Sequence, residues 1–181
     1  MHQTKPPWSV PVPLSDIPDT GRRFELAADE ATRAEVAKLC AVQALPHLQA
    51  TFEVTPQGSR GLRVTGYVKA TVGQNCVVTL DPMENEIEEN IDLLFMPSEQ
   101  VALQKEKTAG TTENVDPNAP EPLIGNEVDL GKIATEFLFL GIDPYPRKPG
   151  AAFEPPPLDD PGTHPFAALA ALKKGQGGGE D

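Results

Sequence analysis

The alternation of apolar and polar positions is clearest between residues 61 and 95. Leu62, Val64, Gly66, Val68, Ala70 and Val72 fall on one face of an extended strand; Arg63, Thr65, Tyr67, Lys69 and Thr71 fall on the other. Ile87, Ile91, Leu93 and Phe95 are again in phase, with Glu86, Glu88, Asn90 and Asp92 opposite them. A fold-back at Val77-Val78 sets Val68 against Ile87, Val64 against Ile91 and Leu62 against Leu93. The same register sets Lys69 against Glu86 and Arg63 against Asp92, each pair worth about 0.2–1 kcal/mol. A hairpin is therefore expected. Its weak point is the turn, because Val-Val is poor turn chemistry and Asp81-Pro82 is a better local signal.

Residues 48–54 alternate in the same way, and Pro56-Gln57-Gly58 reads as a turn after them. Trp8 to Pro13 reads as a short strand that its prolines confine to a sheet edge. Two helices are predicted. One runs from Glu30 to Val42, capped by Asp29, with Val36, Leu39 and Cys40 at helical spacing and Pro46 closing the segment. The other runs from Leu130 to Gly141, capped by Asp129, with Ile133, Phe137, Leu138 and Leu140 as its apolar side and Asp143-Pro144 as its stop. Residues 98–126 lose all periodicity and read as a mobile acidic loop. Seven prolines between Pro144 and Pro161 indicate an extended arm. Pro165 to Lys174 reads as a short helix carrying a Phe166/Leu169/Leu172 stripe, and residues 175–181 as a disordered tail. The expected class is α+β, an antiparallel sheet covered on one face by the two main helices. Its domain spans residues 8–143 and includes the loop 98–126; the Pro-rich arm and terminal helix, 144–174, follow it.

Composition narrows the function. The 181 residues carry a net charge of −12, which argues against a broadly basic nucleic-acid surface but leaves room for local cationic sites. No apolar run approaches a membrane span and the N-terminus has no signal-like core, so a cytoplasmic protein with no membrane partner is expected. Cys40 and Cys76 do not form a disulfide framework. His2, His47 and His164 belong to no catalytic or metal-binding pattern, and Gly58-Ser59-Arg60-Gly61 lacks the lysine of a phosphate loop. The residues therefore give no catalytic constellation, no metal site and no cofactor; a cysteine enzyme built on Cys76 needs a base the sequence does not identify. The acidic run Glu84, Glu86, Glu88, Glu89 and Asp92 reads as a solvated sheet face. Arg63, Tyr67 and Lys69 share a strand face that suits RNA phosphates and bases; their competing role is cross-strand pairing with Glu86 and Asp92. Arg147 and Lys148, on a proline-flanked loop with no predicted acidic partner, are the better phosphate-contact candidates.

Three ordered segments resemble one family. They are Gly66-Tyr67-Val68-Lys69-Ala70-Thr71-Val72 leading to Cys76-Val77-Val78-Thr79-Leu80-Asp81-Pro82; Val128-Asp129-Leu130-Gly131 with Glu136-Phe137-Leu138 and Asp143-Pro144-Tyr145-Pro146-Arg147; and Pro165-Phe166-Ala167-Ala168-Leu169-Ala170-Ala171-Leu172-Lys173. Together they resemble the YceD family of large ribosomal RNA subunit accumulation proteins, in its alphaproteobacterial form, over residues 8–174. The resemblance implies a non-enzymatic role in accumulation or processing of 23S ribosomal RNA, with large-subunit RNA or a pre-ribosomal particle as partner. An acidic adaptor that holds a basic ribosomal protein is the alternative. In the first reading Arg147 and Lys148 meet RNA phosphates while the Phe166/Leu169/Leu172 stripe docks on a protein partner. Many relatives carry Cys-x-x-Cys at the turn, where this chain has Cys76 and Thr79. A single thiolate does not hold a tetrahedral zinc, so no metal is carried over, and the turn is expected to rest on its own hydrogen bonds with Thr79 contributing.

Overall fold

A computed structural model of the chain describes residues 6–58, 61–102 and 119–153. The chain divides into two compact units, one through Lys148 and one from Pro149. Of the second unit, only residues 149–153 are described: a turn with Gly150 at a φ of 78°, followed by an exposed Phe153. The arm beyond Phe153, the Phe166/Leu169/Leu172 stripe, the tail and residues 103–118 of the acidic loop lie outside the described residues.

The first unit mixes α and β structure around a mostly antiparallel sheet. Its strands are β1 (Pro11–Pro13), β2 (Arg22–Ala27), β3 (Ala44–Gln57), β4 (Gly61–Asn75), β5 (Pro82–Pro97), β6 (Glu121–Leu123) and β7 (Glu127–Asp129). Its helices are α1 (Glu30–Leu39) and α2 (Leu130–Gly141), and residues 98–102 add a further helical stretch that buries Val101. Five strands form one sheet in the order β2-β3-β4-β5-β6, all antiparallel neighbours except the parallel pair β5 and β6. β1 and β7 make a separate two-stranded sheet.

The face of β4 expected to be apolar is the buried one. Val64, Val68 and Val72 are fully enclosed, beside Leu48, Phe52 and Val54 of β3 and Ile87, Ile91 and Phe95 of β5. Val36 of α1 and Leu130, Ile133, Ala134 and Leu138 of α2 belong to the same core cluster. Full burial of one such side chain is worth about 1.5–3 kcal/mol, so this face carries most of the cohesion of the sheet. Both predicted caps form: Asp29 accepts from the Thr32 amide at 2.7 Å and Asp129 from that of Lys132 at 3.0 Å. Asp129 also accepts from Ser9 Oγ at 2.7 Å and the Val10 amide at 2.8 Å, which fastens the N-terminal segment to the start of α2.

Several expectations are corrected. The hairpin pairs β4 with β5, but two residues out of the expected register: Val68 faces Glu89, Val64 faces Leu93 and Leu62 faces Phe95. The reversal occupies Cys76 to Asp81 rather than Val77-Val78, and moving its centre by one residue shifts every partner by two. A two-residue shift returns each side chain to its own face, so the core is unaffected. Leu39 and Leu140 are exposed, because each helix buries a narrower stripe than its apolar residues mark out. Pro46 and Pro56 lie within β3, which is irregular between Ala44 and His47. β6 and β7 have no clear periodic signal, because three-residue strands are too short to show one; β2, six residues long, is not among the expected strands.

Gly66 is required by close backbone packing. A Cβ there would strike the Thr51 carbonyl oxygen and lie 3.0 Å from the Phe52 Cα. Gly66→Ala is therefore expected to cost about 2–4 kcal/mol in urea unfolding, from strain in the centre of the sheet.

Candidate functional site

The tip of the β4–β5 hairpin is closed by Cys76. Its amide donates to the Asp81 carbonyl at 2.9 Å, and the Leu80 amide donates to the Cys76 carbonyl at 2.8 Å. Leu80 takes a φ of 61°, a strained value for a side-chain-bearing residue. The Cys76 side chain points inward and is fully enclosed. Its sulfur accepts from the Thr79 amide at 3.5 Å and from the Lys148 amide at 3.4 Å, while Thr79 Oγ1 accepts from the Asp81 amide at 3.4 Å.

The Lys148 contact makes the turn part of a larger site. The Val77 amide donates to the Pro146 carbonyl at 2.9 Å, and Gln74 Nε2 donates to the Asp143 carbonyl at 2.8 Å. Asp143 Oδ1 accepts from the Tyr145 amide at 2.8 Å. Residues 143–148, expected to open an arm, are thus stapled across the hairpin tip. Arg147 stands between two anchored neighbours, the buried Pro146 and the sulfur-bonded Lys148. Its side chain is exposed and has no acidic partner among the described residues. Tyr145 is 73% exposed two residues earlier. Tyr145 was not among the aromatic candidates read from sequence, although its position in Tyr145-Pro146-Arg147-Lys148 places an aromatic beside the cations. Lys148, expected to be unpaired, lies 3.4 Å from Asp81.

The other cationic candidates are arranged differently. Arg63 makes a two-pronged ion pair with Asp92, Nε to Oδ1 at 2.9 Å and Nη2 to Oδ2 at 2.8 Å. The two are diagonal neighbours, since Arg63 directly faces Leu94; the long arginine side chain spans the diagonal. The guanidinium holds the Asp92 carboxyl below the usual carboxylate range, and Asp92 in turn raises Arg63. Lys69 pairs with Glu88 at 3.1 Å rather than with Glu86, and its ammonium lies 5.1 Å from the centre of the Tyr67 ring. Glu86 accepts instead from the Thr71 hydroxyl at 2.8 Å. A cavity of about 300 Å³ beside Arg63 is also lined by Asp92 and Glu121, so among the described residues two carboxylates accompany one guanidinium. Burial, and then Glu136, raise the Glu121 carboxyl.

Hydrogen bonds from Thr79 and Lys148 lower the Cys76 thiol to about 6, against an opposing effect of burial. The contrast is Cys40, which burial alone raises. No cluster of metal-ligating side chains occurs among the described residues.

An α+β domain with a long antiparallel hairpin, its tip closed on a cysteine and crossed by an Asp-Pro-Tyr-Pro-Arg loop, defines the class. The chain belongs to the YceD family: the family model described as "Large ribosomal RNA subunit accumulation protein YceD" matches residues 64–173. The match begins within β4, so it leaves out β1 to β3 and α1, which the resemblance had included. No curated protein and no solved structure matches the chain.

The thiol has a signed consequence for stability. A cysteine lowered from its ordinary 9.0 to about 6 stabilises the fold fully above pH ~9, and that contribution is lost as pH falls toward ~6. Thermal denaturation from pH 6 to pH 9 is expected to show a rise in stability that Cys76→Ala lacks. Cys76→Ala should also lower the melting temperature throughout, because two amides lose their acceptor. Parallel pH profiles for the two proteins would discard the thiolate assignment.

Proposed function

We propose that the protein supports accumulation of large-subunit ribosomal RNA by binding, without chemistry of its own, and that the loop 145–148 is its RNA contact. The family assignment supplies the pathway. The observation that carries the contact is Arg147, an exposed guanidinium with no acidic partner among the described residues, on a backbone pinned at Pro146 and Lys148. A cation on a fixed backbone loses little freedom when it meets a phosphate, and the exposed Tyr145 offers a ring on which an unpaired base stacks. Lys148 adds a second cation whose partner, Asp81, is surface-exposed. Arg63 and Lys69 are secondary contacts, since RNA must first displace Asp92 and Glu88. The enclosed Cys76 sulfur acts in this reading as the anchor that shapes the loop.

Binding of the full chain to large-subunit RNA fragments over a salt series tests this. Arg147→Ala is expected to weaken binding and to reduce the log–log salt slope by about 0.7, the value for one lost single-strand phosphate contact. Tyr145→Ala is expected to weaken binding with little change in slope, and Arg63→Gln to leave it nearly unchanged. No affinity at low salt, or full affinity in Arg147→Ala, would overturn the RNA contact.

A further inference from the structure

β5 is paired on one side along almost all its length, from Pro82 opposite Asn75 to Phe95 opposite Leu62. On the other side β6 meets only Phe95, Met96 and Pro97. Among the described residues, no other strand and no other backbone hydrogen bond reaches residues 83–94 from that side. Alternate residues of a strand turn their N–H and C=O groups away from the neighbour already bonded, so among the described residues this edge presents an open row of donors and acceptors. The short β6 demonstrates that the edge takes a strand at one end.

The charge on this edge has one sign. β5 carries Glu84, Glu86, Glu88, Glu89 and Asp92 and contains neither Lys nor Arg. Glu88 and Asp92 are neutralised by Lys69 and Arg63. Glu84, Glu86 and Glu89 have no cationic partner among the described residues, leaving a local surplus of negative charge beside unpaired backbone. Ile87 and Ile91 are already buried in the core, so selection at this edge falls to main-chain pairing and charge. A like edge from a second copy would bring carboxylates against carboxylates; a strand rich in Lys or Arg meets both requirements at once.

We propose that the open edge of β5 accepts an extended Lys/Arg-rich segment of a partner protein as an added strand. Main-chain bonds supply affinity and the unpaired carboxylates select cationic side chains. The inference does not depend on the RNA contact.

A synthetic peptide of alternating lysine and valine is the probe, added to the full chain and followed by amide hydrogen exchange. Amides within 83–94 that point away from β4 are expected to gain protection. The same peptide N-methylated at alternate residues keeps its charge but loses its donors, and it should bind at least about tenfold more weakly. Glu84→Gln with Glu89→Gln should weaken the unmethylated peptide and flatten its salt dependence, whereas Arg147→Ala should leave it unchanged. The proposal is overturned by equal binding of both peptides, by no binding, or by protection appearing elsewhere, such as β2. It is equally overturned if the edge amides are protected in the free protein, or become so with rising protein concentration alone, since the occupant is then the chain itself or a second copy.

Discussion

The constraint on which the rest depends is that β4 shows one face to the core and the other to water over fifteen residues, with a partner on each side. Val64, Val68 and Val72 are wholly enclosed, so a one-residue slip would expose all three and bury Arg63, Tyr67 and Lys69. A two-residue slip would not. The core therefore specifies the phase of the pairing and leaves its register open. The hairpin tip sets the register, through the bonds that Cys76 makes with Thr79, Leu80 and Asp81. One six-residue turn thus determines which charges meet on the open face some twenty ångströms or more along the strands, at about 3.4 Å per residue.

That division explains what the sequence made legible. The two faces of β4 and β5, both helices and both aspartate caps follow from local pattern, because alternation and helical spacing are written residue by residue. The turn does not follow, because its acceptor is a sulfur and one of its donors, Lys148, lies 72 positions away. The Arg63–Asp92 pair was anticipated on an incorrect register and survives it only because arginine reaches diagonally; Lys69 takes Glu88, which it directly faces, instead of Glu86. Leu39 and Leu140 misled because apolar residues on a helix mark what is available for burial, and the sheet covers less than that. Of the candidate RNA residues, Arg147 was legible from its proline-flanked loop. Its fixed backbone and the nearby exposed Tyr145 emerge only from tertiary contacts.

Thr79 stands three residues after Cys76, where a Cys-x-x-Cys pattern would place its second thiol. A metal would tie two thiolates and fix the turn through strong bonds. Here Thr79 serves the turn twice, its amide donating to the sulfur and its hydroxyl accepting from Asp81. These are ordinary hydrogen bonds, each with a net worth of about 0.5–1.5 kcal/mol. The Lys148 amide completes the sulfur's environment, so the loop that displays Arg147 and the turn that sets the register form one cooperative unit. Weakening either loosens the other.

The same geometry sorts charge by sign. Exposed ion pairs such as Arg63–Asp92 and Lys69–Glu88 add little stability, about 0–1 kcal/mol each, so their larger effect is to cancel cations that an acidic chain cannot spare for polyanions. A phosphate approaching Arg63 meets Asp92 in the same place, and like charges about 5 Å apart repel by roughly 0.8 kcal/mol even in bulk water. Arg147 makes no ion pair with a carboxylate among the described residues. On β5 the balance is reversed, with carboxylates in surplus beside open backbone. A net charge of −12 is therefore compatible with an RNA contact when cations are paired where the acids lie and one, Arg147 on the stapled loop, has no acidic partner among the described residues. The surplus acids are then available for a cationic partner at a different edge of the sheet.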